Sequence, residues 1–192
     1  MKNISFLLIA LAISLTSCKE EKKETKTIEK EVVTETKLEV VVPKKITMAL
    51  NAKSDSNVSG SVVFNENNGK VSMTAIITGL EPGEHAIHIH QSSDCSSADG
   101  KSAGGHWNPT NAPHGKWGAE TGYHKGDIGN FTAGKNGNGT ISITTDQWCI
   151  GCGDDTKDIL GKGIIVHAGS DDFTSQPSGA AGKRVSCAGI IQ

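Results

Sequence analysis

The seven histidines of this 192-residue chain all lie between residues 85 and 167. Two of them form the string His88-Ile89-His90, in a segment that predicts a strand. Residues two apart on a strand point to the same face with backbones about 7 Å apart, so these two imidazoles can converge on one ion while Ile89 points to the opposite face. Taken alone, the pair is equally consistent with two exposed strand histidines. Any fold of this chain must nevertheless accommodate a strand with imidazoles on one face and apolar side chains on the other.

A second group of potential ligands follows in a glycine-rich stretch. It comprises His106, His114, His124 and Asp127. Glycine lacks a Cβ, so a backbone rich in it can wrap closely around an ion. Three imidazoles and one carboxylate suit tetrahedral zinc, and imidazole is also a common copper ligand. Together with the strand pair, this group predicts two adjacent metal sites.

The pattern beyond residue 43 predicts an all-β fold. Segments that are β-branched or alternate between apolar and polar residues are Ile46–Leu50, Val58–Phe64, Val71–Ile77, Ala86–His90, Gly139–Thr144 and Gly163–His167. Turn sequences between them are Asn67-Asn68-Gly69, Glu81-Pro82-Gly83 and Lys135-Asn136-Gly137. Two long polar segments, Ser92–Asn130 and Ala168–Lys183, are expected to be loops. Loops of this length in a compact domain are usually functional.

The N-terminal region predicts export and attachment to a membrane. Residues 1–17 read as a lipoprotein-type signal peptide, and Leu15-Thr16-Ser17-Cys18 resembles a lipobox in which Cys18 would be lipidated. An ordinary secretory signal is the alternative. Residues 18–43 would form a charged flexible tether, and residues 44–192 the folded domain. We expect a lipid-anchored protein of the cell envelope, at the periplasmic face of the outer membrane or at the cell surface.

The charge balance argues against binding to nucleic acid. The formal net charge is −2, from 19 basic and 21 acidic residues. No basic stripe or aromatic pattern of the kind found in nucleic-acid-binding domains is present in the sequence.

From Lys44 to Gln192 the chain resembles the copper/zinc superoxide dismutase family. The segments that carry the resemblance occur in order along the chain: Gly83-Glu84-His85-Ala86-Ile87-His88-Ile89-His90, Gly105-His106-Trp107-Asn108-Pro109, His124-Lys125-Gly126-Asp127-Ile128-Gly129-Asn130, Ile165-Val166-His167 and Gly182-Lys183-Arg184-Val185-Ser186-Cys187-Ala188-Gly189-Ile190-Ile191. The resemblance implies an eight-stranded antiparallel Greek-key β-sandwich or flattened barrel with long metal-binding and electrostatic loops.

The resemblance also implies a ligand set for each metal. Copper would be held by His88, His90, His106 and His167. Zinc would be held by His106, His114, His124 and Asp127. His106 is common to both sets and would bridge the two ions as an imidazolate.

Further roles follow from the same resemblance. Asp171 would link a copper ligand to a zinc ligand through hydrogen bonds, and His85 would support the copper ligands from behind without binding metal. Arg184, the only arginine of the chain, would guide the anionic substrate, with Lys183 as a potential assistant. Cys95 and Cys187 would form the intrasubunit disulfide.

Cys149 and Cys152 have no counterpart in the family pattern. Their spacing is CxxC, which elsewhere occurs in redox and zinc sites. A local disulfide is the favoured interpretation, with free thiols or a transient copper-loading site as alternatives.

The predicted function is therefore enzymatic: disproportionation of superoxide to dioxygen and hydrogen peroxide. Copper would be the redox metal, and zinc would have a structural and tuning role. His106 and Arg184 would be the catalytic residues. The alternatives are a non-enzymatic copper or zinc carrier or store, and a structural β-sandwich. The expected partners are the superoxide anion and, through the N-terminal lipid alone, a membrane; a homodimer is left open.

Overall fold

Residues 44–192 are described by a computed structural model of the protein. The signal peptide, the lipidated Cys18 and the tether predicted for residues 1–43 lie outside the described residues. Within 44–192 no helix is long and apolar enough to cross a membrane.

Eight antiparallel strands and one short 3₁₀ turn make up the regular structure of the described region. The strands are β1 (Lys44–Ala52), β2 (Ser59–Asn67), β3 (Lys70–Thr78), β4 (Gly83–His90), β5 (Gly129–Ala133), β6 (Gly139–Thr145), β7 (Gly163–His167) and β8 (Arg184–Gly189). The 3₁₀ turn is Lys101–Ala103, in the loop between β4 and β5. The predicted all-β class is confirmed.

The strands close into a barrel in the order β1-β2-β3-β6-β5-β4-β7-β8. Closure is made by β8 against β1, where Asn51 lies opposite Cys187. The connection from β3 to β4 passes over β6 and β5, and that from β6 to β7 passes over β5 and β4. These two crossings are overlapping Greek keys, as the resemblance implied.

The barrel interior is filled by side chains that point inward at every second position along the strands. In β3, buried and more exposed positions alternate from Val71 to Ile77, which is the pattern of a strand with one face in the core. Phe64 and Trp148 meet edge to face in this core, with ring centroids 6.2 Å apart. Burying an apolar side chain of this kind contributes about 1.5–3 kcal/mol to stability.

Strands β4 and β7 are buried on both faces. All five residues of β7, and β4 from His85 onward, are buried. One face contributes isoleucines and a valine to the barrel core. The opposite face lies under the two long connections, residues 91–128 and 168–183, and it carries histidines. The barrel thus presents a water-excluded outer surface at this one place.

The tight turn between β2 and β3 follows the sequence closely. Asn68 and Gly69 have φ values of 49° and 71°, which is the conformation that a two-residue type I′ hairpin requires. Asparagine and glycine tolerate this conformation better than other residues. The turn predicted at Asn67-Asn68-Gly69 is confirmed, and so are the six strands predicted from alternation.

Alternation alone did not identify β5 and β8. The predicted loop Ser92–Asn130 is two residues too long, because Gly129 and Asn130 already belong to β5. β5 and β8 are short and contain few β-branched residues. Their strand conformation comes from long-range pairing with β4 and β7, which local sequence does not encode.

Both expected disulfides are present. Cys95–Cys187 ties the first long loop to β8, with a Cα–Cα distance of 5.9 Å and 92 residues of sequence separation. Cys149–Cys152 closes a local ring in the loop between β6 and β7. In the unfolded chain the first crosslink therefore closes a long loop that includes β5, β6, β7 and part of β8, whereas the second closes a loop with a sequence separation of 3.

The unequal loop lengths predict unequal contributions to stability. In the chain-entropy model, Cys95→Ser should lower the free energy of unfolding of the metal-free protein by about 4–5 kcal/mol, measured by denaturant titration. Cys152→Ser is the matched control, for which the same model gives less than about 2 kcal/mol. Equal losses in the two variants would contradict this account.

Candidate metal centre

The four predicted copper ligands meet above β4 and β7. His88 and His90 project from β4, His167 ends β7, and His106 comes from the first long loop. One ligand nitrogen from each of the four lies within 4.8 Å of the others, and all four residues are buried. The structure therefore brings together the whole set that was predicted from the sequence.

The tautomers of three of these histidines are fixed by hydrogen bonds behind the rings. His88 donates from Nε2 to Asp171 Oδ2 over 2.8 Å. His90 donates from Nδ1 to the carbonyl of Gly104, and His167 from Nδ1 to the carbonyl of Gly182. In each ring the other nitrogen then carries a lone pair, and that nitrogen is the one facing the centre.

The inward nitrogens of the four rings are buried and have no hydrogen-bond partner within the protein. They are His88 Nδ1, His90 Nε2, His106 Nε2 and His167 Nε2. A buried polar atom without a partner is destabilising, and proteins rarely retain several in one place. A cation coordinated by all four lone pairs would compensate this cost. The donor set, four imidazoles, fits copper.

Burial also favours the uncharged form of three of these histidines, His88, His90 and His167. It is the main cause that lowers the pKa of His88 to about 4, with the neighbouring His106 acting in the same direction. Burial likewise lowers the pKa values of His90 and His167 well below the ordinary range. At neutral pH these nitrogens are therefore free of protons and available as ligands.

The second set surrounds the carboxylate of Asp127. Its Oδ1 lies 2.8 Å from His106 Nδ1 and 3.2 Å from His124 Nδ1, and its Oδ2 lies 3.0 Å from His114 Nδ1. In a tetrahedron with metal–nitrogen bonds of about 2.0–2.1 Å, the ligand atoms are about 3.3 Å apart. The observed separations are close to that value, so the residues fit zinc.

The electrostatics of this second set favour a cation at its centre. Burial opposes ionisation of Asp127, but the hydrogen bond from His106, the close contact with His114 and hydrogen bonds from two backbone N–H groups outweigh it and hold the carboxyl pKa well below its ordinary value. Burial also opposes the charge of His114, yet the carboxylates of Asp127 and Asp171 raise its pKa to about 9. The carboxylates therefore stabilise positive charge in this position.

His106 belongs to both sets. Its Nδ1 faces Asp127, whereas its Nε2 faces the four-histidine set. Backbone hydrogen bonds between the loop and β4 hold the ring there, including Trp107 N–H to the carbonyl of Ile89 over 2.8 Å. Gly126 is needed for this approach, because a Cβ there would lie 2.1 Å from the Ile89 oxygen.

Asp171 connects the two sets from outside. Its Oδ2 accepts the hydrogen bond from His88, and its Oδ1 accepts one from His114 Nε2 over 2.9 Å. The loop that carries Asp171 is itself fixed by Asn130, which exchanges two 2.8 Å hydrogen bonds with the Asp171 backbone. The linking position expected for Asp171 is thus the one observed.

His85 lies outside both sets, as expected from strand alternation. Its two ring nitrogens are 3.0 Å from the carbonyl of His167 and 2.8 Å from that of Glu81. It therefore contacts the backbone of one potential copper ligand and offers no nitrogen to the metal centre.

Arg184 stands at the entrance to the four-histidine set. It pairs with His167 across β7 and β8 at a register irregularity, and it is half-buried. Its Nη1 donates to the carbonyl of Gly100 over 2.8 Å, which fixes the guanidinium. Arg184 and three of the four histidines, His90, His106 and His167, line a cleft of about 430 Å³. Lys183 does not line this cleft but a neighbouring depression.

Two contributors to the site were not identified from the sequence. Gln176 accepts a hydrogen bond from the His114 N–H and donates one to the His114 carbonyl, over 2.8 and 2.9 Å. Gly179 passes so close to Asp171 that no side chain fits. Neither position lies in a recognisable sequence motif. Asn130, which fixes the Asp171 backbone, does lie in one, because it ends the segment His124–Asn130 that resembles the family.

The close approach of Gly179 gives a specific test of how Asp171 is held. A Cβ at this position would lie 1.8 Å from Asp171 Oδ1 and 2.7 Å from His114 Nε2. Gly179→Ala should therefore displace the carboxylate and weaken metal binding by about 10–100-fold, the range for loss of a group that orients a ligand. Competition with a chelator for zinc and copper measures the effect.

Gly161→Ala is the matched control for backbone strain. Gly161 has φ 77°, similar to the 64° of Gly179, but a Cβ there meets nothing within 4 Å. If both variants bound metal equally well, the orienting role of Asp171 would be refuted.

Comparison with known proteins places this architecture in a family. The profile of copper/zinc superoxide dismutase (SODC) matches residues 58–190. A crystal structure of the clock protein EA4 is 30% identical, with a TM-score of 0.66 over 78% of this chain and 96% of that one. Two crystal structures of a SOD-like protein from Bacillus subtilis, a single and a double mutant with introduced histidines, are 27% and 28% identical. Each gives a TM-score of 0.68 over 76% of this chain and 97% of the other. The chain therefore belongs to the copper/zinc superoxide dismutase family.

Proposed function

We propose that this protein is a copper- and zinc-dependent superoxide dismutase. Two superoxide anions and two protons would give one dioxygen and one hydrogen peroxide, since one anion loses the electron that the other gains. The observation that carries the proposal is the completeness of the centre: both donor sets, their common histidine and the arginine at the cleft are all retained. When bound, copper would supply the one-electron redox chemistry and zinc would fix the shared ring.

Arg184 would bind and orient the substrate anion. A guanidinium remains protonated at every relevant pH and offers several N–H donors to a small anion. Its contact with the Gly100 carbonyl fixes one edge of the group, and the cleft beside it leads to the buried histidines. A positive charge at the mouth of a cleft also raises the rate of encounter with an anion.

His106 would handle a proton at Nε2. This nitrogen belongs to the four-histidine set, and His106 lines the cleft through which a substrate would arrive. It can accept a proton while one superoxide gives up its electron, and donate it to the peroxide formed from the second. Meanwhile Nδ1 would remain directed at the Asp127 carboxylate, which would keep the orientation of the ring fixed.

The cell envelope is the proposed location. Residues 1–17 and Cys18 support export and lipidation. The two disulfides of the folded region are consistent with an oxidising compartment.

A metal carrier without enzymatic activity is the second candidate. It draws on the similarity to EA4, which is called a clock protein and not an enzyme. The two candidates differ in one respect: a carrier has no need of the half-buried Arg184 beside the cleft.

The proposal is tested by superoxide removal with the full chain loaded with copper and zinc. We expect fast removal that slows as ionic strength rises, because an anion is attracted to a cationic cleft. Arg184→Ala should keep both metals, lower the rate by roughly tenfold and weaken the dependence on salt.

Arg184→Lys is the control, since it keeps the charge but not the planar donor group, and it should recover part of the rate. A fully loaded wild-type protein without activity would refute the enzyme and favour the carrier. Equal activity in the wild type and the two Arg184 variants would support the enzyme but remove Arg184 from its mechanism.

A further inference from the structure

The loop between β6 and β7 carries a group of potential ligands that the histidine centre does not use. Cys149 is buried, Cys152 is exposed, and Asp158 lies between these extremes. One ligand atom from each of the three lies within 4.8 Å of the others. Two sulfurs and a carboxylate are a donor set that binds zinc in other proteins.

The conformation of this loop does not depend on the disulfide alone. Trp148 and Ile150, on either side of Cys149, are buried in the barrel core, and the Trp148 indole N–H donates to the Lys125 carbonyl over 2.9 Å. The backbone N–H of Cys149 donates to the Lys157 carbonyl, and the backbone carbonyl of Cys149 accepts from the Ile159 N–H. These contacts would remain when the sulfur–sulfur bond is broken, so reduction should leave the Cys149 thiol close to its present position. Cys152 lies between Gly151 and Gly153, whose N–H groups donate to the Asp158 carboxylate and would hold this end of the loop.

Asp158 is held as an anion next to the sulfurs. Its Oδ1 accepts hydrogen bonds from the N–H groups of Gly151 and Leu160, and its Oδ2 accepts one from Gly153. Burial opposes ionisation, but these backbone donors outweigh it and lower the carboxyl pKa. The Cys152 backbone N–H also acts on this carboxylate, with the smallest effect of the four donors on its pKa. A cation bound to the carboxylate would take the place of this weakest donor, since a carboxylate offers about four acceptor positions.

We propose that the reduced Cys149–Cys152 pair and Asp158 form a third metal site, for zinc or a cation of the same class. In a tetrahedral site with zinc–sulfur bonds of about 2.3 Å, two thiolates lie about 3.8 Å apart. The Cα–Cα distance of 6.0 Å allows this separation with side-chain rotation only. Two thiolates and one carboxylate leave the fourth position open to water or a further ligand.

Formation of the site is gated by thiol–disulfide exchange. A dithiol reductant attacks the exposed Cys152 sulfur, Cys149 leaves as a thiolate, and a second exchange releases the protein dithiol and the oxidised reductant. Two electrons and two protons are transferred to the protein. Binding of the divalent cation then displaces the two thiol protons and neutralises both thiolates. The oxidised loop offers only the carboxylate.

Measurement of the metal content of the full chain tests the proposal. Every sample carries Cys18→Ser, so that the N-terminal region contributes no thiol. The histidine centre is first saturated with zinc. The protein is then reduced with a phosphine and freed of reductant under argon. We expect one additional zinc per chain in the reduced protein and none in the oxidised protein. With cadmium in place of zinc, the extra ion should give the ultraviolet absorption of thiolate coordination.

Three variants separate this site from other sources of metal binding. Cys149→Ser/Cys152→Ser should lose the extra ion, and Asp158→Asn should bind it at least about tenfold more weakly, as expected for loss of a ligand. Cys95→Ser should bind it as the wild type does. An unchanged metal content on reduction would overturn the proposal, and so would an extra ion that persists in the double serine variant.

Discussion

The structure depends on keeping imidazole lone pairs free inside a water-excluded space. A buried nitrogen without a partner is costly, and six of them are gathered here around two points. Two conditions would offset this cost: the opposite nitrogen of the ring is fixed, and a cation is bound at each point. Hydrogen bonds from His88, His90 and His167 to acceptors behind the rings fulfil the first condition. The copper and zinc that we propose above would fulfil the second.

The barrel supplies the rigid part of this arrangement and the loops supply the rest. β4 and β7 are adjacent and antiparallel, so His88 and His90 on one strand lie beside His167 at the end of the other. Loop residues must then cover this face and contribute the remaining ligands. The disulfide Cys95–Cys187 anchors one loop to β8, and Asp171 ties the other to both donor sets. Arg184 begins β8 close to this anchor, which places the charge of the cleft on a strand and not on a loop.

Much of the site was predictable because side-chain chemistry and strand periodicity are local properties. The pair His88 and His90 shares a face by alternation alone, and the ligand set follows from residue types in a recognisable order. Backbone acceptors such as the carbonyls of Gly104 and Gly182 were not predictable, since every residue has a carbonyl. Gly179 was missed for a related reason: it matters because a Cβ there would lie 1.8 Å from Asp171 Oδ1, and this proximity of two residues of one loop exists only once the loop is folded. β5 and β8 were missed by alternation because pairing, and not propensity, makes them strands.

The central claim is that the ring of His106 joins two metal ions. Electron paramagnetic resonance of the full chain tests it directly, with copper(II) in the four-histidine set and either zinc or cobalt(II) in the Asp127 set. Zinc is diamagnetic and leaves the copper signal intact. If His106 bridges the ions, cobalt(II) should couple to copper(II) through the ring, and the copper signal should be lost or strongly altered. A spectrum equal to the sum of independent copper and cobalt signals would contradict the shared histidine.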